Sequence, residues 1–111
     1  MTIDRRPPDA KVLFELTSLG CDGKAKRVLS GYRPIYEICP DYWTSTHHEF
    51  IDCDGISTGY SARAHVWFIS PDVYPHTLWV GRVLEVAEGS RVVGTATILD
   101  VLNPVLLQSA S

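Results

Sequence analysis

The sequence of 111 residues predicts an all-β domain, either a small sandwich or a closed barrel. Polar and apolar residues alternate along several short segments, as they do in strands that bury one face. Seven prolines interrupt nearly every candidate helix, and strand-like segments do not alternate with helical ones. Closing the sheet removes exposed edge strands, which makes a barrel physically favourable at this length.

This alternation places two of the predicted strands. In the first strand, the residues that share the core face are Val12, Phe14 and Leu16. The CDGK segment at 21–24 follows with residues typical of a turn. A further strand is predicted at 60–70, with one face formed by Ala62, Ala64, Val66 and Phe68.

Segments 77–85 and 91–102 are rich in β-forming residues and predict the two strands of a hairpin. The connection includes Gly89, which can take the positive φ that a tight turn needs. The folded domain is predicted over residues 9–104, with a flexible segment at 1–8 and a loose tail at 105–111.

The composition is that of an ordinary globular protein, with 45% hydrophobic and 21% charged residues. No apolar segment approaches the roughly 20 residues of a spanning helix, and residues 1–10 lack the apolar region of a secretory signal. We therefore expect a cytoplasmic protein without membrane contact. Three cysteines without CxxC spacing, Cys21, Cys39 and Cys53, favour free thiols over a zinc site or a complete disulfide framework.

The net charge of −3 is unevenly distributed along the chain. Residues 1–33 carry seven basic and four acidic side chains, whereas residues 34–111 carry three and nine. The basic end suits a polyanion, but the acidic remainder would repel one.

The segment HHEFIDCD at 47–54 is the densest cluster of potential metal ligands and acid–base groups. Strand alternation places His48 and Asp52 on one face. His47 and Glu49 fall on the other face, so no three ligands converge locally. We interpret the segment as an exposed polar strand, with a small hydrolase or metal protein as the less favoured alternative.

The sequence contains no GxxxxGK[ST], GxGxxG or GxSxG motif. We therefore expect no nucleotide hydrolysis by this chain, and, because neither metal ligands nor a nucleophile and its base converge locally, no catalytic residue, metal or cofactor. Most aromatic residues occupy positions typical of a core, so a platform for stacking nucleic-acid bases is the less favoured reading of them.

Four segments follow one another in an order that is found in a known domain. They are DAKVLFELTSL at 9–19, SGYRPIYEI at 30–38, ISTGYSARAHVWFISP at 56–71 and EGSRVVGTATILDVL at 88–102. Together they resemble the C-terminal barrel, domain 3, of the bacterial translation elongation factor Tu. The resemblance implies a closed six-stranded antiparallel β-barrel of that type.

The match can be followed residue by residue. The GYRP motif at 31–34 is complete, but Ile35 stands where the family usually has glutamine. The later motif is matched by Glu88, Gly89, Arg91, Val93 and Gly94. The chain departs from that motif at Ala87, Ser90 and Val92.

In the family, this barrel packs against a GTPase domain and a second barrel, contacts the T-stem side of aminoacyl-tRNA and the exchange factor, and carries no catalytic residue. The sequence contains neither of the other two domains, so we do not expect it to perform the elongation cycle. The resemblance implies a binding module. Its candidate binding residues are Lys24, Lys26, Arg27, Tyr32, Arg33, Glu88 and Arg91.

The physical reading of these residues favours a structural duty. Pro34 fixes φ and biases Arg33 toward an extended backbone, so GYRP can begin a strand. Arg33 and Arg91 are expected to pair with Glu88 or another carboxylate and brace the barrel, in preference to gripping a phosphate.

The sequence thus predicts a non-catalytic module that recognises a protein, either a translation component or a toxin, as an immunity protein would. The alternative is binding of tRNA or another RNA through the basic loop 24–33, which predicts strong salt dependence. Self-association is a further alternative, and the sequence does not determine an oligomeric state.

Overall fold

The computed structural model describes residues 6–20 and 22–108. Its strands are β1 (Ala10–Leu16), β2 (Arg27–Leu29), β3 (Ile35–Cys39), β4 (Tyr42–Phe50), β5 (Gly55–Ser57), β6 (Ser61–Phe68), β7 (Val83–Glu88) and β8 (Arg91–Val101). Six of them form a closed barrel in the order β1-β6-β4-β3-β7-β8, and each neighbouring pair is antiparallel. The predicted all-β class and six-stranded barrel are confirmed.

The alternating apolar and polar residues of the strands face the interior and the exterior of the barrel in turn. Val12, Phe14 and Leu16 of β1 are completely buried, and so are Val66 and Phe68 of β6. Burying a side chain of this size stabilises the fold by roughly 1.5–3 kcal/mol. The predicted core faces of both strands are therefore confirmed.

The barrel closes where β8 meets β1, and a glycine makes this seam tight. Gly94 lies opposite Leu16. A Cβ atom at Gly94 would lie 1.9 Å from the carbonyl oxygen of Glu15, well inside van der Waals contact. Only glycine permits the two backbones to approach this closely.

The predicted hairpin is formed by β7 and β8, with Gly89 at a φ of 60° in the turn. Its first strand begins at Val83, so the prediction of a strand from residue 77 is wrong in that part. The reason is backbone conformation: Gly81 has a φ of 93°, and the N–H of Arg82 donates to the carbonyl oxygen of Trp79 to form a turn. The described residues contain no helix that is long and apolar enough to cross a bilayer.

Both ends of the described chain are fastened at Asp9, which is 1% exposed. The Arg6 guanidinium donates to one carboxylate oxygen at 2.8 Å, the Asn103 side chain donates to the same oxygen at 2.8 Å, and the N–H of Phe68 donates to the other at 2.7 Å. Leu106, within the expected loose tail, is completely buried. Residues 6–8 and 105–108 therefore adjoin a packed corner, whereas the expected flexibility of 1–5 and 109–111 lies outside the described residues.

A small two-stranded sheet, β2 with β5, covers one end of the barrel. Val28 and Ile56, which are opposite each other in this sheet, are each 5% exposed and belong to the hydrophobic core. Their burial holds the basic loop against the barrel. This sheet was not anticipated from the sequence.

Candidate functional site at the capped end of the barrel

The GYRP motif at 31–34 runs beside β4 and leads directly into β3. The N–H of His48 donates to the carbonyl oxygen of Tyr32 at 2.8 Å, and the N–H of Thr46 donates to that of Pro34 at 3.0 Å. Gly31, at a φ of 95°, turns the chain and donates its N–H to the carbonyl oxygen of His48. The prediction that the motif begins a strand is confirmed.

Glu88 joins the basic loop to the β7–β8 turn. Its Oε1 atom lies 2.8 Å from the Lys26 ammonium, and its Oε2 atom accepts a hydrogen bond of 2.5 Å from the Tyr32 hydroxyl. Arg91 lies opposite Glu88 in the β7–β8 ladder. Glu88 therefore contacts two of the predicted binding residues, Lys26 and Tyr32, and lies next to a third, Arg91.

The electrostatics of this cluster favour a charged carboxylate and a neutral phenol. Burial raises the pKa of Glu88, but hydrogen bonds from Lys26 and Tyr32 and the positive charges of Lys26 and Arg91 outweigh that effect and leave the pKa below its usual value. Burial, together with Glu88, raises the pKa of the Tyr32 hydroxyl well above its ordinary value. Tyr32 therefore acts as a hydrogen-bond donor at neutral pH.

The bracing expected of Arg33 and Arg91 stays a prediction. Glu88 has a close ion pair with Lys26. Arg91 acts on Glu88 through its charge and donates to the carbonyl oxygen of Leu19. Arg33 is exposed. A half-exposed pair such as Lys26 and Glu88 contributes about 0.2–1 kcal/mol, so its main effect is to fix geometry.

Lys24 and Arg27 are exposed. Lys24 is the last residue of the predicted CDGK turn, in which Gly23 has a φ of 79° and the Asp22 side chain accepts the N–H of Lys24. Arg27 is the first residue of β2. The expected free thiol of Cys21 lies outside the described residues.

Large apolar side chains are also exposed at this end of the barrel, namely Leu19, Leu29, Tyr60 and Val92. Their segments are linked to one another. Tyr60 pairs its N–H with the carbonyl oxygen of Ser57 in β5, and the carbonyl oxygen of Val93 accepts the N–H groups of Thr17 and Ser18. The capped end therefore presents apolar as well as basic side chains.

His48 lies in the barrel interior, so the interpretation of this position as part of an exposed polar strand is wrong. It is completely buried, and its Nε2 atom lies 2.6 Å from the Tyr36 hydroxyl. The rings of Phe14, Tyr32 and Phe50 also surround it, with centroids at 5.1 to 6.2 Å. Burial, with a smaller contribution from His47, lowers the pKa of His48 to about 3.

The Nδ1 atom of His48 has no hydrogen-bond partner among the described residues. A buried imidazole with one partner and a strongly lowered pKa is neutral at pH 7. The sequence signal was present, because His48 alternates with Thr46 and Phe50 along β4, and both of those side chains also face inward.

The side chains of the other potential ligands of segment 47–54 do not lie with His48 in the barrel interior. His47 and Glu49 share the outer face as predicted, with 2.5 Å between Nε2 and Oε2. Asp52 does not share the inner face with His48, because β4 ends at Phe50 and the Asp52 carboxylate pairs with Arg63 at the surface. No group of three potential ligands among residues 6–20 and 22–108 is placed to hold a metal ion.

No model of a known protein family matches this sequence, and no curated protein matches it.

Proposed function

We propose that this chain is a non-catalytic module that binds a protein partner through the end of the barrel capped by β2 and β5. The supporting observation is the exposure of large apolar side chains there, above all Leu29 at 55% and Tyr60 at 68%. Exposed apolar side chains beside polar ones are typical of surfaces that bind proteins. Lys26, in contrast, is already paired with Glu88 and has less positive charge to offer a polyanion.

The six-stranded antiparallel barrel agrees with the resemblance to domain 3 of elongation factor Tu. On that basis, the proposed partner is a component of translation or a toxin that recognises such a barrel, the latter giving the chain an immunity role. We place this activity in the cytoplasm. The resemblance supports these two classes of partner, and the exposed apolar side chains support the capped end as the contact surface.

Capture from lysate with matched variants tests this proposal. The double variant Leu29→Ser and Tyr60→Ser should lose most of the captured protein, because it removes apolar area without removing charge. The control double variant Ile69→Ser and Val80→Ser removes exposed apolar side chains near the end of β6 and the start of β7, away from β2 and β5, and should retain most of it. Equal capture by both double variants, or no captured protein with the unaltered chain, would contradict the proposal.

Binding of tRNA or another RNA is the second candidate, because loop 24–33 contains Lys24, Arg27 and Arg33 as exposed basic residues and no acidic residue. Each phosphate contact adds to the salt dependence of binding. A gel-shift titration with labelled tRNA should then show steep weakening as salt rises. The variant Arg33→Ala should weaken RNA binding without changing the urea midpoint; an equal loss of fold and binding would leave only a bracing role for Arg33.

A further inference from the structure

Strand β2 is the edge of the small sheet that covers the barrel. It pairs with β5 on one side, and within residues 6–20 and 22–108 no other strand pairs with its outer side. An edge strand presents main-chain N–H and C=O groups that can accept an additional strand. The register of β2 shows which of its groups point outward.

The hydrogen-bonded pairs alternate along this ladder. The N–H of Thr58 donates to the carbonyl oxygen of Lys26 at 2.8 Å, and that of Ser30 donates to the carbonyl oxygen of Asp54 at 2.9 Å. Alternation makes the intervening pair of Val28 and Ile56 the third hydrogen-bonded pair. The main-chain groups of the residues on either side of Val28 therefore point away from β5.

Those residues are Arg27 and Leu29. The carbonyl oxygen of Leu29 already accepts the N–H of Tyr32 in the turn that follows β2. The outer edge thus consists of the N–H and C=O of Arg27 and the N–H of Leu29. One residue of an added strand can bond to both groups of Arg27, and a residue two positions away can accept the N–H of Leu29.

The side chains beside this edge indicate what would pair with it. Arg27 and Leu29 are both exposed, on the face opposite the buried Val28. An added strand would place its own alternate side chains next to them, one beside a guanidinium and one beside an isobutyl group. A carboxylate and an apolar side chain two residues apart complement this pair.

A second copy of this chain is a poorer occupant. Antiparallel pairing of two β2 edges would bring the Arg27 side chains of both copies, and their Lys24 and Lys26 neighbours, into one small sheet. Like charges across neighbouring strands destabilise pairing. Charge therefore favours an acidic occupant over a basic one.

We propose that the outer edge of β2 binds an extended acidic segment of a protein partner by β-strand addition. The segment alternates carboxylate and apolar side chains on the face that it shares with Arg27 and Leu29. This inference rests on the proposed function as a protein-binding module, and it adds both the mode of binding and the chemistry of the partner.

The test uses a labelled peptide in which Glu and Val alternate at every second position with Thr between them, titrated against the full chain by fluorescence anisotropy. A peptide with Lys in place of Glu is the charge control. Arg27→Pro removes the outward N–H without touching the β2–β5 ladder, and Arg27→Ala removes only the side-chain charge. We expect binding of the Glu peptide to weaken about threefold in Arg27→Ala and at least about tenfold in Arg27→Pro.

A second measurement guards against loss of folding in Arg27→Pro. In the unaltered chain, the Glu peptide should slow amide hydrogen exchange at Arg27 and Leu29 and leave that of Val28 unchanged, because the Val28 amide is already in the ladder. Four outcomes would overturn the inference: no binding of the Glu peptide, equal binding of the Lys peptide, equal affinity of the two Arg27 variants with no change in exchange, or a dimer of the unaltered chain that Arg27→Pro dissociates.

Capture from lysate separates this inference from the proposed function. If Arg27→Pro still captures the protein that the unaltered chain captures, strand addition is wrong while the binding module stands. If the unaltered chain captures no protein, the proposed function itself fails.

Discussion

Acidification should destabilise this barrel well before its carboxylates are protonated, because His48 lies in the core as a neutral imidazole. Its pKa is about 3 in the folded chain, against about 6.5 for an unfolded histidine. The unfolded chain therefore binds a proton that the folded chain excludes. Stability contributed by the neutral imidazole is fully present above about pH 6.5 and is lost as the pH falls toward 3.

The size of the effect follows from the difference between the two pKa values. The two pKa values differ by about 3.5, which corresponds to a total loss of about 5 kcal/mol in the free energy of unfolding as the pH falls from well above 6.5 to well below 3, at about 1.4 kcal/mol for each pH unit between the two pKa values. Between pH 7 and pH 5 the loss is about 2 kcal/mol, since the unfolded histidine is only partly neutral at pH 7. Single domains are stable by only about 5–15 kcal/mol, so this change is large.

Urea denaturation at pH 7, 6 and 5, followed by tryptophan fluorescence, measures this loss. The double variant His48→Phe and Tyr36→Phe removes both members of the buried hydrogen bond and should keep nearly constant stability over that range. His48→Phe alone should also lose the pH dependence, but at a cost of about 1–3 kcal/mol, because the buried Tyr36 hydroxyl then has no imidazole partner.

His65→Gln, a change on the outer face of β6, is the matched control. A neutral, buried His48 is refuted if the unaltered chain loses less than about 0.5 kcal/mol between pH 7 and pH 5, where about 2 kcal/mol is expected. It is equally refuted if the double variant loses as much stability as the unaltered chain.

Three further changes test the fold and the candidate site by the same urea assay. Asp9→Ala should cost about 2–3 kcal/mol because it leaves the buried N–H of Phe68 without its acceptor and the half-buried Arg6 without its carboxylate, whereas the exposed Asp72→Ala should change stability little. Gly94→Ala should cost about 3 kcal/mol or more through the close seam, while Gly89→Asn, in open space, should cost about 1 kcal/mol or less; equal costs would contradict the seam argument. Glu88→Gln should cost up to about 1 kcal/mol at low salt and less at high salt, and a cost independent of salt would contradict the ion pair with the basic loop.

Local patterns are sufficient to predict an all-β domain, and the resemblance supplies the choice of a six-stranded barrel over a sandwich. The period of two in β1 and β6 identified their buried faces, and Gly89 marked the hairpin turn, because side-chain direction and turn conformation depend on near neighbours. Pro34 likewise indicated where β3 begins. The failure at residues 77–82 has a local cause too, since the β-forming side chains there are followed by a glycine with positive φ.

The candidate site was less accessible from sequence because it is assembled by long-range contacts. Lys26 and Glu88 are 62 residues apart, and nothing local distinguishes Lys26 from Arg33 as the partner of that carboxylate. The interpretation of His48 as exposed is wrong because its place in the inward-facing row of β4 outweighs its polarity. The strand β2 is only three residues long, too short for a periodic signal, so the edge it offers appears only once the barrel has closed.

The Asp9 corner also determines how the domain would respond to tension. Arg6 and Asn103 meet at one carboxylate, and β1 and β8 leave the barrel side by side, with Ala10 opposite Val101. A force that pulls the two chain ends apart therefore does not shear this ladder; it opens the ladder one hydrogen bond at a time, beginning at Asp9. Because Arg6 and Asn103 lie close together at this corner, the barrel could be inserted into a loop of another protein with little separation of the two ends of that loop.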